Sequence, residues 1–172
     1  MSHLLAKPKP HRYPRGWFVV SLSTEIEIGK ATSVTYFGRR MVVFRGEDGQ
    51  VRVTDAYCPH LGADLGVGGK VEGNDIRCPF HAWKFDGNTG RCTEVPYANH
   101  IPGKAKIGTY LVDEVNGLIF IWNDPEGGEP DYRIPPLKEW TDPTWNHWSP
   151  TRIEVKTHPR EIVENVADKG HF

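Results

Sequence analysis

The stretch that decides the fold runs from residue 58 to residue 81. It begins with the loop Cys58-Pro59-His60-Leu61-Gly62 and ends with Cys78-Pro79-Phe80-His81, and seventeen residues separate His60 from Cys78. Each loop offers one cysteine and one histidine, so the stretch carries four potential metal ligands. Because sulfur suits iron–sulfur chemistry or zinc, and imidazole suits zinc, copper or iron, residue type alone leaves the metal open.

The spacing of the four ligands separates two kinds of metal site. Structural zinc sites commonly pair like ligands on one turn, cysteine with cysteine and histidine with histidine. Here each turn is mixed, as in a Rieske [2Fe-2S] centre, where two cysteines hold one iron and two histidines hold the other. The pattern therefore predicts Cys58 and Cys78 on one iron and His60 and His81 on the second. A structural zinc site remains the alternative, and it predicts a colourless protein instead of a brown-red one.

The residues around both loops carry a family resemblance. Cys58–Ala63 (CPHLGA) and Cys78–Asp86 (CPFHAWKFD) resemble the Rieske domain of bacterial Rieske non-haem iron oxygenases. Respiratory-chain Rieske proteins have an extra cysteine in each loop, and these two cysteines form a disulfide across the cluster. Ala63 and Phe80 stand at those places, so that disulfide cannot form. The resemblance therefore favours the branch of oxygenases and ferredoxins, which lies toward the low end of Rieske reduction potentials.

Short strand-like segments broken by turn residues surround the two loops. They are rich in β-branched and aromatic residues, and Asp48-Gly49 is a hairpin signal between two of them. This pattern predicts an all-β fold, an antiparallel β-sandwich of the Rieske type or a small barrel, with the cluster loops at one end. The predicted strands are Trp17–Ser21, Val34–Phe37, Met41–Arg45, Val51–Thr54, Ile76–Cys78, Trp83–Phe85, and a hairpin of Thr109–Val112 with Leu118–Trp122. Alternation from Arg152 to Val155 indicates another strand.

The last residues of the chain hold a second informative motif. Asn165, Asp168 and His171 recur every third residue, which predicts that they line one side of a helix. The spacing resembles the Asn-x-x-Asp-x-x-His motif of the oxygenase catalytic domain. That resemblance implies that His171 is a ligand of a mononuclear non-haem Fe(II) and that Asp168 is the electron-relay carboxylate. A complete facial triad needs two histidines and one carboxylate, so these 172 residues do not complete the iron site.

Composition shifts along the chain predict four regions. Residues 1–16 are expected to form an extended basic arm, and residues 17–125 the Rieske domain. A linker with an aromatic segment is expected at 126–150. Residues 151–172 are expected to be the truncated start of an α+β catalytic domain.

Three further motifs narrow the resemblance. Asp55–Cys58 (DAYC), Val95–Ala98 (VPYA) and Phe120–Gly127 (FIWNDPEG) are similar to oxygenases of the 3-ketosteroid 9α-hydroxylase type. The resemblance implies a terminal oxygenase, a monooxygenase or dioxygenase that hydroxylates a small, steroid-like organic substrate. It implies a reductase or ferredoxin as electron donor and a homo-trimer as the complete protein. The alternative is a stand-alone Rieske ferredoxin that only carries electrons.

Composition excludes some functions. A net charge of −1 argues against a nucleic-acid partner, because phosphate binding needs clustered Lys and Arg. No apolar run approaches twenty residues, so no membrane partner is expected and we expect a soluble, cytoplasmic protein. Cys92 is left outside the ligand set, and its surroundings predict a small apolar strand residue and not a reactive thiol.

Overall fold

The computed structural model of the protein describes residues 13–151 and 153–171, so most of the predicted arm and residue 152 lie outside the described residues. Eleven antiparallel strands dominate the described part of the chain. In chain order they are β1 (Gly16–Leu22), β2 (Ala31–Tyr36), β3 (Arg39–Arg45), β4 (Val51–Asp55), β5 (Lys70–Glu72), β6 (Asp75–Arg77), β7 (Lys84–Asp86), β8 (Cys92–Glu94), β9 (Thr109–Tyr110), β10 (Val112–Val115) and β11 (Leu118–Asn123).

Helical structure is confined to short segments. A 3-10 turn at Ser23–Glu25 follows β1, and a second, Lys169–His171, lies at the end of the described chain. The two α-helices are α1 (Lys138–Thr141) and α2 (Pro159–Ala167). The predicted all-β fold is confirmed, since both α-helices follow the last strand.

The strands form three sheets with the orders β1-β11-β10, β2-β3-β4-β9 and β5-β6-β7-β8. The second sheet is the middle layer. Met41 and Val43 of β3 pack into one core with Ile119 of the first sheet. Val42 and Phe44, the alternate residues, pack into the core that lies beneath the ligand loops. Because successive strand side chains point to opposite faces, β3 is buried on both sides and joins the two cores.

The ligand loops are carried by rigid strands. The first loop follows β4, and the second connects β6 to β7, which pair directly with each other. Leu65, just past the first loop, is fully buried beside Ile76 of β6 and Phe85 of β7 in the core beneath the loops. The predicted position of the loops at one end of the sandwich follows from this arrangement.

The predicted and the observed strands differ at four places. The predicted strand Thr109–Val112 is divided between sheets: Thr109–Tyr110 pairs with β4, whereas β10 pairs with β11. The strands β5 and β8 were not predicted at all. Each has three residues, too few to show an alternating pattern. The strand predicted near residue 153 is also absent, since residues 153–156 have no regular secondary structure.

The segment predicted as a linker, residues 126–150, packs against the hairpin turn between β10 and β11. The buried Asn116 amide donates to the carbonyl of Pro135 at 3.0 Å, and its side-chain oxygen accepts from the Leu137 N–H at 2.8 Å. The Trp148 indole donates to the Asn116 carbonyl at 2.7 Å and stacks with Trp140, with ring centroids 5.7 Å apart. The aromatic segment is therefore attached to the strand core by this turn.

The helix predicted at the end of the chain is shorter than expected. Asp168 has an extended backbone (φ −82°, ψ 100°), so α2 stops at Ala167 and a 3-10 turn follows. The Asp168 carboxylate accepts from the Gly170 N–H at 2.9 Å, a local bond that competes with helix continuation. The prediction that Asn165, Asp168 and His171 line one continuous helix is therefore wrong.

Candidate metal centre

The two ligand loops have the same backbone plan. In the first, the Cys58 N–H donates to the Ala63 carbonyl and the Cys58 carbonyl accepts from the Gly62 N–H, both at 2.9 Å. The second loop repeats both bonds around Cys78, at 2.8 and 3.2 Å. Gly62 has a φ of 75°, and Ala82 at the matching position has 58°, an uncommon value for a residue with a Cβ. The two loops therefore present their ligands in equivalent ways.

A carboxylate braces the first loop from behind. Asp64 accepts hydrogen bonds from the Ser33 hydroxyl and the Gly66 N–H, each at 2.9 Å, and forms an ion pair with Arg40. Burial raises the pKa of Asp64, but these donors outweigh it and the net pKa is lowered. The ionised carboxylate thereby ties the loop to β2 and β3.

An arginine braces the second loop in a similar way. Arg77 donates to the Ala82 carbonyl at 2.8 Å, which holds the loop closed across its base. Its other nitrogens pair with Glu72 at 2.8 Å and Glu94 at 2.9 Å, and Lys84 also reaches Glu94 at 3.1 Å. This network could not be predicted from the sequence, because nothing in the spacing of these charges distinguishes it from an ordinary solvated strand face.

The two cysteines of the loops are buried together. Cys58 is 2% exposed and Cys78 3%, and both are free thiols. Burial raises the pKa of Cys58 to about 11, and the adjacent Cys78 thiol adds to the rise. The N–H groups of His60 and Leu61 act in the opposite direction, which shows that they favour a thiolate. A bound metal would hold these thiols deprotonated.

The two histidines lie at the same end, nearer to solvent. Their ring centroids are 4.7 Å apart, with His60 half-buried and His81 exposed. The Nδ1 atom of His60 is buried and has no hydrogen-bond partner. A buried polar atom without a partner is costly, and a metal bond would satisfy it. The site thus has two buried thiols and an imidazole nitrogen available as ligands.

The two loops together offer two thiols and two imidazoles, one of each from each loop. A Rieske cluster asks for only two protein ligands at each iron. The donor set and its placement therefore fit a [2Fe-2S] cluster.

Trp83 and Tyr97 complete the surroundings of the site. The Trp83 ring stacks on His60 with centroids 4.6 Å apart and planes 6° apart, and its Nε1–H donates to the Tyr97 hydroxyl at 2.6 Å. Trp83 belongs to the motif that carried the family resemblance. Tyr97 belongs to the motif Val95–Ala98, but no sequence signal connects it with the ligand loops.

The structure describes only part of the motif at the end of the chain. The Asp168 side chain is exposed and bonds locally, and the His171 side chain lies outside what the structure describes. Cys92 is buried in β8 and its pKa is raised by burial, in keeping with the predicted apolar role.

Two regions of the chain match known protein families. Residues 16–110 match the family described as the Rieske [2Fe-2S] domain. The chain belongs to the Rieske [2Fe-2S] domain family. A [2Fe-2S] cluster is thus the cofactor of this Rieske domain, which rules out the zinc alternative. Residues 121–172 match a second family, the 3-ketosteroid 9alpha-hydroxylase C-terminal domain.

Curated relatives extend beyond the Rieske domain. A probable 3-ketosteroid-9-alpha-monooxygenase oxygenase component of Rhodococcus rhodochrous is 45% identical over 166 residues, which is 95% of this chain and 41% of the relative. A cholesterol 7-desaturase of Xenopus laevis is 44% identical over 163 residues, covering 95% of this chain and 36% of the relative. The chain therefore spans less than half the length of these relatives.

Solved structures show the same architecture. Dicamba monooxygenase with non-heme iron and dicamba is 30% identical with a TM-score of 0.65, and the match covers 75% of this chain and 39% of that one. A chain in the reduced complex between oxygenase and ferredoxin in carbazole 1,9a-dioxygenase is 28% identical with a TM-score of 0.57, and the match covers 66% of this chain and 30% of that one.

Among the described residues of the present Rieske chain, no helix is long and apolar enough to span a membrane.

Proposed function

We propose that Cys58, His60, Cys78 and His81 hold the [2Fe-2S] cluster of this Rieske domain. Two observations carry the assignment: the thiols of Cys58 and Cys78 are buried next to each other, and the Nδ1 of His60, on the same loop as Cys58, is buried without a partner. The two cysteines form the inner side of the site. The exposed imidazole of His81 forms its outer side, where electrons can enter and leave.

The cluster supplies storage and transfer of one electron at a time when it is bound. The protein around it fixes position and access. Asp64 and Arg77 hold the two loops against the strands, and Leu65 seals the core beneath them. Apolar side chains exposed at the same end suit a protein docking surface; they are Tyr57, Leu61, Val67, Phe80 and Tyr97.

We propose that the complete protein is the terminal oxygenase of a multicomponent system and that it oxidises a steroid or sterol. Support comes from two relatives of different name, a 3-ketosteroid monooxygenase component and a cholesterol desaturase, which both act on such ring systems. A reductase or ferredoxin would supply electrons, as the complex of oxygenase and ferredoxin in carbazole 1,9a-dioxygenase illustrates. A homo-trimer and a cytoplasmic location belong to the same proposal.

The end of the chain supports the oxygenase over a stand-alone ferredoxin. A ferredoxin needs no residues resembling an oxygenase catalytic domain, whereas residues 121–172 match such a domain. We propose that His171 is the first ligand of a mononuclear non-haem iron and that Asp168 is the relay carboxylate. Ile162, Val163 and Val166 of α2 are each more than half exposed, as expected for a helix that contributes to a larger catalytic domain.

The ligand assignment is tested by exchange of one cysteine against a matched control. Cys78→Ser removes a proposed ligand, whereas Cys92→Ser removes a buried thiol of the same core that lies outside the set. We expect iron, acid-labile sulfide and the EPR signal of the reduced cluster to be lost in Cys78→Ser and retained in Cys92→Ser. Loss in both variants, or in neither, would contradict the assignment.

The oxygenase proposal is tested on a full-length protein that carries these residues. With a reductase, O2 and a 3-ketosteroid or cholesterol, we expect O2 uptake coupled to an oxidised steroid. Asp168→Asn should stop product formation while the cluster is still reduced by dithionite. Steroid-independent electron transfer with no product would favour the ferredoxin alternative.

A further inference from the structure

Three aromatic side chains form a continuous chain from the protein surface to the proposed cluster. Tyr97 is 63% exposed, Trp83 is 8% exposed, and the two are joined by a hydrogen bond of 2.6 Å. Trp83 lies flat on His60, with centroids 4.6 Å apart and planes 6° apart. The indole thereby covers one side of the imidazole that we assign as a ligand.

The acceptor of the Trp83 indole sets it apart from other tryptophans. Trp17, Trp122 and Trp148 donate their indole N–H to main-chain carbonyls. Trp83 donates to the hydroxyl of an exposed tyrosine. A buried indole N–H requires an acceptor, so the orientation of this ring depends on one surface side chain.

We propose that Tyr97 is a positioning residue that holds Trp83 flat against His60 and so sets the reduction potential of the cluster. The proposal rests on the proposed role of His60 as a ligand. The Tyr97 hydroxyl fixes the indole at its Nε1 edge, and the indole face keeps water from that side of the imidazole. Tyr97 therefore acts on the ligand ring through Trp83.

The sign of the effect follows from charge. An oxidised cluster with two thiolate and two neutral imidazole ligands has no net charge, and reduction adds one negative charge. Water stabilises the charged, reduced form more than an aromatic cover does. Solvent exposure is one of the factors that set the potential of an iron–sulfur centre. A loosened Trp83 should therefore raise the potential.

The test is a redox titration of Tyr97→Phe, with Tyr13→Phe as matched control. Tyr13 is 45% exposed and packs on Phe37, which packs against the core that contains Met41 and Val43, and the control substitution also removes one exposed phenolic hydroxyl. We expect Tyr97→Phe to shift the equilibrium toward the reduced cluster by about three- to tenfold, where tenfold equals about 59 mV for a one-electron couple. Tyr13→Phe should titrate like the wild type.

A double variant shows whether the effect passes through the indole. Trp83→Phe keeps an aromatic ring but has no N–H, so adding Tyr97→Phe to it should change the potential no further. An equal shift on both backgrounds, or no difference between Tyr97→Phe and Tyr13→Phe, would overturn the proposal while the ligand assignment stands. If the wild-type protein shows no Rieske EPR signal, the ligand assignment itself fails, and this inference fails with it.

Discussion

Leu65 gives the most direct link between the ligand loops and the stability of the fold. Its side chain is fully buried in the core beneath the loops, and its N–H donates to the Ala56 carbonyl at 2.7 Å. Leu65→Ala keeps this bond and removes three buried carbon atoms. At about 0.8 kcal/mol for each methylene-sized group, the transfer loss is about 2.4 kcal/mol. The cavity adds to this loss, so we expect a total destabilisation of about 3–4 kcal/mol.

Thermal unfolding followed by circular dichroism measures this effect. A destabilisation of 3 kcal/mol lowers Tm by about 6–12 °C in a chain of this length. Leu61→Ala is the matched control, because Leu61 belongs to the same loop but is 67% exposed. It should change the unfolding free energy by less than about 0.5 kcal/mol. Equal effects of the two substitutions would refute the conclusion that the core extends under the loop.

Three further predictions concern the scaffold. Burial and a neighbouring carboxylate raise the pKa of Tyr110 to about 12. The free energy of unfolding, measured by urea titration at each pH, should therefore fall as pH rises from 10 to 12. Tyr110→Phe should flatten this alkaline limb. A hydrogen bond from an arginine is the chief reason that the pKa of Asp48 is lowered to about 2. The stability that Asp48 contributes above pH 4 should therefore be lost as pH falls through 2. Asp48→Asn should remove this acid dependence of the free energy of unfolding. A Cβ on Gly117, which has a φ of 74°, would clash with the Trp140 ring. Gly49 has a similar φ of 78° but open space around it, so Gly117→Ala should lower Tm more than Gly49→Ala.

Each of these predictions has a contradicting result. An alkaline limb that is unchanged in Tyr110→Phe would show that another group titrates there. An acid limb that persists in Asp48→Asn would assign it to other carboxylates. Equal losses in the two glycine variants would show that Trp140 does not pack closely on the hairpin turn.

The sequence predicted the strands with clear patterns and the loops with distinctive ligands. β3 is an example, because four consecutive apolar residues, Met41 to Phe44, are typical of a strand that is buried on both faces, and all four are buried. The mixed ligand pairs at Cys58 and Cys78 predicted the cluster in the same way, since their spacing differs from that of common zinc sites.

Contacts between residues far apart in the sequence could not be predicted in this way. The bond from Trp83 to Tyr97 joins two loops, and neither residue type signals its partner. The predicted helix through Asp168 failed for a local reason, because a three-residue period describes spacing and cannot reveal that a carboxylate will bond to the next turn. Strands as short as β5 and β8 carry no pattern of their own and depend on pairing with β6 and β7.

The central claim is that two histidines, His60 and His81, ligate the cluster together with Cys58 and Cys78. Pulsed EPR of the dithionite-reduced protein tests it most directly, because nitrogen nuclei bound to the cluster couple to its unpaired electron. We predict two strongly coupled imidazole nitrogens in the wild-type protein and loss of one in His60→Cys. A reduced cluster without nitrogen coupling, or wild-type coupling retained in His60→Cys, would contradict the account.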